Sequence, residues 1–180
     1  MKKSIEKLEA FDKKEKYVNV IVETPKGSRV KLAFSFVSGL FEFKRALPEG
    51  LQFPLNFGFI PGTLGEDGDP LDILILNEEP LVSGCLVKTR LLGIIKAEQT
   101  GKDGTRCRND RLIGIGVDEN DATNFQRVLD EKILLQIEFF FRAYNRLDGK
   151  KFQIKGTGGI NAAKKTIVAG QRQYRRKAKS

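Results

Sequence analysis

At 180 residues, 40% hydrophobic and 31% charged, the chain has the size and balance of one globular domain, residues 1–180, with a real core. It contains no histidine, which excludes Ser-His-Asp and Cys-His mechanisms, a histidine general base and phospho-histidine. Its net charge of +9 lies largely at the ends, and no apolar run approaches the ~20 residues of a membrane span. Residues 1–16 form an extension rich in lysine and glutamate, in which Ile5, Leu8 and Phe11 give a weak helical stripe. Three strands follow, Tyr17–Glu23, Arg29–Ser35 and Gly39–Arg45, with turns at Pro25-Lys26-Gly27-Ser28 and Val37-Ser38. Leu51 to Glu66 reads as loop, broken by Pro54, Gly58, Pro61-Gly62 and Gly65. Strands are expected at Leu71–Leu76, Cys85–Ala97 and Arg111–Val117. The period then changes. Asp130 caps a helix in which Ile133, Ile137, Phe140, Phe141 and Tyr144 recur at helical spacing, and Gly149 lies past its end. A short strand at Phe152–Gly156 and a helix at Ala162–Ala169, running toward the basic tail 171–180, complete the chain.

The stretch Asp67-Gly68-Asp69-Pro70-Leu71-Asp72 carries the most chemistry: three carboxylates in six residues. Gly68 permits a backbone conformation closed to other residues, and Pro70 fixes its own φ, so the acids sit on a turn of defined shape. The apolar run that follows reads as a buried strand fed by the turn. Several carboxylates on a rigid, solvent-facing edge suit a hard divalent cation such as Mg²⁺, which prefers oxygen ligands.

That signature resembles the one carried by family I soluble inorganic pyrophosphatases, Asp-x-Asp-Pro-x-Asp followed by an apolar run. The similarity extends from about Tyr17 to about Val168. It includes Val22-Glu23-Thr24-Pro25, Phe41-Glu42-Phe43-Lys44-Arg45, Phe53-Pro54-Leu55-Asn56-Phe57-Gly58-Phe59-Ile60 and Phe139-Phe140-Phe141-Arg142-Ala143-Tyr144. The resemblance implies an α+β, mainly β fold: an OB-like five-stranded β-barrel with flanking C-terminal helices. It also implies hydrolysis of pyrophosphate to two orthophosphates with Mg²⁺, or with Mn²⁺ in its place, and a homo-oligomer, commonly a hexamer in bacteria. Residue by residue, it makes Asp72 a bridge between metals. Asp67 or Asp69 orients and deprotonates the attacking water, with Asp67 also a metal ligand, and Glu23 is an acid near the substrate and metals. Lys31 and Arg45 clamp phosphate, and Tyr144 binds it.

The departures matter as much. Where the family has two further metal-ligating aspartates and a lysine, this chain has Gln99, Asn109 and Arg111, with a longer segment between them. Amide oxygens carry no charge, so such a site holds a dication less firmly. Glu98 and Asp110 restore the acids if the loop is rearranged, and Arg111 then joins the phosphate ligands. The stretch around these residues reads equally as a polar β-hairpin. A family glutamate is Ala33, two active-site tyrosines are Phe53 and Phe57, and a lysine after the binding tyrosine is Asn145, with Arg146 beside it as a stand-in. Phe57 and Phe59 read best as core.

The leading expectation is a Mg²⁺-dependent diphosphatase. The alternatives are a non-catalytic relative that binds phosphate, a nucleotide or nucleic acid, and hydrolysis of another phosphate ester or anhydride. The tail, with Arg172, Arg175, Arg176, Lys177 and Lys179 and no acid, suits nucleic acid only in part, because few aromatics interleave it. The start of the chain lacks the apolar core of a secretory signal, and Cys85 and Cys107 make no disulfide framework or zinc site, so a cytoplasmic location is expected.

Overall fold

The computed structural model describes residue 5, residues 8–118 and residues 130–178. Among these the strands are β1 (Val18–Thr24), β2 (Val30–Ser35), β3 (Leu40–Ala46), β4 (Asn56–Phe59), β5 (Asp72–Ile75), β6 (Leu86–Thr100), β7 (Arg106–Arg108), β8 (Arg111–Gly116) and β9 (Lys151–Gly158). The helices are α1 (Glu131–Leu147) and α2 (Ile160–Lys177). β1 pairs with β4, β4 with β5, β5 with β8, β8 with β6, and β6 back with β1, so five strands close a ring of pairings. Only β5 and β8 run parallel among these five. The 15-residue β6 outlasts the ring and carries β7 and β9 on its far half, while β2 and β3 form a separate hairpin. The expected OB-like, mainly β architecture with two C-terminal helices is therefore present.

β5 explains how the acidic turn is held. Ile73, Leu74, Ile75 and Leu76 are all buried. Successive side chains of a strand point to opposite faces. Leu74 and Leu76 join the aromatic cluster under α1 with Ile137, Phe140 and Phe141. Ile73 and Ile75 join the aliphatic cluster under α2 with Ala163 and Ile167. A strand clamped on both faces cannot slip register without inverting both packings, and Asp72 begins it. The parallel register sets Ile73 beside Leu112, which brings the preceding residues, Asp72 and Arg111, together.

Several expectations change. β4 lies inside the segment read as loop, because Gly58 is there to let two backbones meet. A Cβ at that position would lie 2.2 Å from the Ile21 carbonyl oxygen. The Glu98–Arg111 stretch is the polar hairpin that one of its two readings gave, with Glu98 paired to Arg108 and Thr100 to Arg106. β9 and α2 are longer than expected, and the basic tail is helical through Lys177. Lys179 and residues 1–4, 6 and 7 of the N-terminal stripe lie outside the described residues. Residues 8–16 form no helix: Phe11 makes a β-bridge with Val18, and Asn19 ties back to Glu9 and Phe11. Asp130 caps α1 as expected, accepting from the Ile133 N–H at 2.8 Å.

Candidate active site

Two irregularities in the strands aim the cationic half of the site. The β1–β4 register shifts between Val22 and Thr24, which puts Glu23 at the break. The β2–β3 register shifts just after Lys31, which pairs across the hairpin with Arg45. Bulges of this kind re-aim single side chains. Lys31 Nζ approaches Glu23 Oε2 at 3.7 Å and lies 3.9 Å from the centre of the Phe57 ring. A cation over a ring face is attracted by the ring's quadrupole. Phe57 is buried as expected of core, and it also serves as the platform for this ammonium. Glu23 further accepts from the Phe34 N–H at 2.8 Å.

Burial is the dominant influence on both members of this pair. It pushes the Glu23 carboxyl up to about 7, opposed by Lys31 and the Phe34 N–H and reinforced by Asp72 and Asp69. Burial also lowers Lys31, opposed by Glu23 and Asp72.

Arg45 donates to Asp148 Oδ2 at 2.7 Å and lies 5.3 Å from the Tyr144 ring centre. Burial raises the Tyr144 hydroxyl, with Arg45 opposing it and Asp72 adding to it. Asp148 was not singled out from the sequence. Its signal was an acid at the C-terminal end of α1, where the helix dipole disfavours negative charge unless a cation is near. Arg146 is exposed in the last turn of α1, and buried Asn145 donates to its own helix at the Phe141 carbonyl, 2.8 Å away.

The acidic half is built on the turn. Gly65 N–H reaches the Asp69 carbonyl at 2.7 Å, Asp67 Oδ1 accepts from the Asp69 N–H at 3.2 Å, and Gly68 has φ +88. Asp67 and Asp69 are exposed and Asp72 half-buried. Neighbouring protein still desolvates Asp67 enough to raise its carboxyl, opposed by the Asp69 N–H and Arg111 and reinforced by Asp72 and Asp69. Behind the turn lies a cavity of about 350 Å³ lined by Asp67, Asp72, Asn109, Lys96, Arg108 and Lys165.

Of the polar hairpin's two acids, Asp110 lines the same cavity as Asp67 and Asp72, whereas Glu98 does not. Asp110 accepts from the Ala97 N–H at 3.0 Å and from Arg108 Nε at 2.7 Å. Glu98 faces Lys155 at 3.5 Å and Arg106 at 3.9 Å. Gln99 Oε1 accepts from Asn109 Nδ2 at 2.9 Å, Asn109 Oδ1 accepts from Arg111, and Arg111 Nη1 reaches Asp72 Oδ2 at 2.8 Å. In kind, the turn's donors fit a hard divalent cation: they are all carboxylate oxygens, and they repel one another. In arrangement, no group of three acids among the described residues is already closed around a metal position.

The family model described as inorganic pyrophosphatase matches residues 20–175. An inorganic pyrophosphatase of Ralstonia nicotianae is 38% identical over 165 residues, covering 88% of this chain and 91% of that protein. The crystal structure of an inorganic pyrophosphatase from Neisseria gonorrhoeae is similar at a TM-score of 0.85 and 29% identity, covering 96% of this chain and 99% of that one. The Thermus thermophilus inorganic pyrophosphatase structure matches at a TM-score of 0.83 and 30% identity, with coverage of 96% and 99%. With its fold and the extent of these matches in agreement, the chain belongs to the inorganic pyrophosphatase family.

Proposed function

We propose that this protein hydrolyses inorganic pyrophosphate to two orthophosphates in a Mg²⁺-dependent reaction, with Mn²⁺ able to replace Mg²⁺. One observation carries the reading: Arg111, paired with Asp72 at 2.8 Å, lies over the Phe141 ring, and Phe141 packs against Phe57, whose face holds the Lys31 ammonium, so the acids and the anion-binding groups adjoin in one site. The names of the relatives give the substrate class.

In this reading Lys31, Arg45 and Tyr144 donate to the phosphate oxygens, and Arg45 offers the planar fork suited to them. Phe57 and Glu23 hold the Lys31 ammonium in place before substrate arrives, so little reorganisation is needed in the transition state. Asp67 and Asp72 would hold the cation, with Glu23 nearby. When bound, it neutralises phosphate charge and lowers the pKa of a coordinated water toward ~7. Asp67 or Asp69 orients the attacking water and takes its proton. Arg111 joins the phosphate ligands beside Asp72, and Asp110, in the same cavity as Asp67 and Asp72, is a further metal ligand, while Arg146 and Glu98 reach the substrate or metal only if α1's last turn or the hairpin moves.

The same reading includes a homo-oligomer, a hexamer by resemblance, and a cytoplasmic location. The exposed Leu135 and Phe139 of α1 give an apolar face in favour of assembly, and no helix among the described residues is long and apolar enough to cross a membrane. Phosphate release from pyrophosphate, a nucleoside triphosphate and an aryl phosphate, each with Mg²⁺ or Mn²⁺, tests the activity. Pyrophosphate is expected to be the preferred substrate. Release no faster than that of Asp69→Asn would refute the reading.

A further inference from the structure

We propose that Arg111 is a resident cation of the acidic turn, competing with divalent metal for Asp72 and limiting how much metal the turn takes up. The proposal rests on reading the turn as a metal-binding one. The parallel register of β5 and β8 delivers the guanidinium to Asp72, and four further contacts hold it there. The two Nη1 hydrogens are shared among the Asp110 carbonyl at 3.1 Å, Asn109 Oδ1 and, more weakly, the Asn109 carbonyl at 3.4 Å. The Phe141 ring lies 4.9 Å below it. Arg111 is only 5% exposed, and its Nε is buried without a partner. It is a buried charge, not a surface side chain.

Its neighbours leave that charge in place. Asn109 and Gln99 are neutral amides bonded to each other, Asp110 is engaged by Arg108 and the Ala97 N–H, and Glu98 faces Lys155 and Arg106. Arginine stays protonated throughout the accessible pH range. A dication approaching Asp72 Oδ2 must therefore meet a positive group already paired with that oxygen at 2.8 Å. Both pay a cost: the dication meets like-charge repulsion, and displacing the guanidinium strands a buried charge. A role confined to packing would instead leave metal uptake indifferent to Arg111.

The test counts Mn²⁺ bound to the full chain without pyrophosphate, by titration calorimetry and the electron paramagnetic resonance signal of free Mn²⁺. Arg111→Met is expected to take up about one further ion per chain, or to bind about tenfold more tightly. Adding Asp72→Asn to that variant is expected to abolish the gain. Equal uptake by wild type and a folded Arg111→Met protein would overturn the proposal. If Arg111→Met does not fold, the wild-type Arg111 Nε–Hε resonance decides. It is expected to exchange slowly with solvent in metal-free protein and to exchange faster as Mg²⁺ saturates the turn, since the two cations compete for Asp72, and a resonance indifferent to bound Mg²⁺ overturns the proposal. Phosphate release on the same wild-type sample separates the readings. Its absence refutes the hydrolase and leaves the metal count to decide Arg111, whereas turnover with an unchanged count refutes Arg111 alone.

Discussion

The two halves of the site are built by opposite means. On β1, β2 and α1, charged groups are paired and cushioned: Lys31 lies between Glu23 and the Phe57 ring, and Arg45 lies between Asp148 and the Tyr144 ring. On β5, β8 and the β6–β7 hairpin, like charges crowd into one turn, and the nearest cation is the chain's own Arg111. The first half is organised for an anion before any arrives. The second keeps repulsive energy that a bound cation relieves, with part of that relief already supplied from within. Rigidity therefore comes from ion pairs and aromatic rings in one half, and from the strand clamped between two cores in the other.

The sharpest way to break the comparison is on the acidic side. Asp69→Asn removes a candidate proton acceptor from an exposed turn without disturbing a core, and is expected to lower kcat about 10³-fold with little change in melting temperature. Steady-state phosphate release and a thermal melt check both halves of that statement.

Next in size is a pH effect on stability at Glu23, measured in metal-free protein with chelator present. Its carboxyl is raised from 4.5 in the unfolded chain to about 7 in the fold. Between those values the folded state binds more protons, so this group's contribution is fully present below pH 4.5 and is lost as pH rises through 7. The whole decline amounts to about 3 kcal/mol. Urea melts of Glu23→Gln should lack that slope. Parallel stability curves for the two proteins would mean that burial does not set this carboxyl.

On the cationic side, Lys31→Met keeps the buried stem and removes the charge. It is expected to cost about 30-fold in kcat/KM, without the loss of metal uptake expected from Asp72→Asn. The smallest effect falls on Asp148→Asn. The Arg45–Asp148 pair is partly exposed, at 31% and 33%, so freeing Arg45 should alter KM for pyrophosphate by about threefold and leave kcat unchanged.

Much of this was legible in the chain. The glycine and proline of the acidic turn, the apolar run behind it and the change to helical period at Asp130 each carry their meaning locally. What escaped was set by distant contacts. β4 was hidden because Gly58 looks like a loop residue until the Ile21 carbonyl is seen pressed against it. β7 is three residues long and exists through its pairing with β6. The Arg45–Asp148 link spans 103 residues, and no spacing announces it. Spacing also could not foretell that Asp110 would accept from the Ala97 N–H across the hairpin, or that Phe11 would bridge to Val18 instead of joining a helix.

Phosphorus-31 resonance of pyrophosphate mixed with the protein, as Mg²⁺ is added, tests most directly whether the two halves act on one molecule. The expected result is steady conversion of the pyrophosphate signal to orthophosphate, at a rate that rises with Mg²⁺ and collapses in Asp72→Asn. A pyrophosphate signal that shifts and broadens on binding yet never converts would contradict the account, leaving an anion-binding scaffold without hydrolysis.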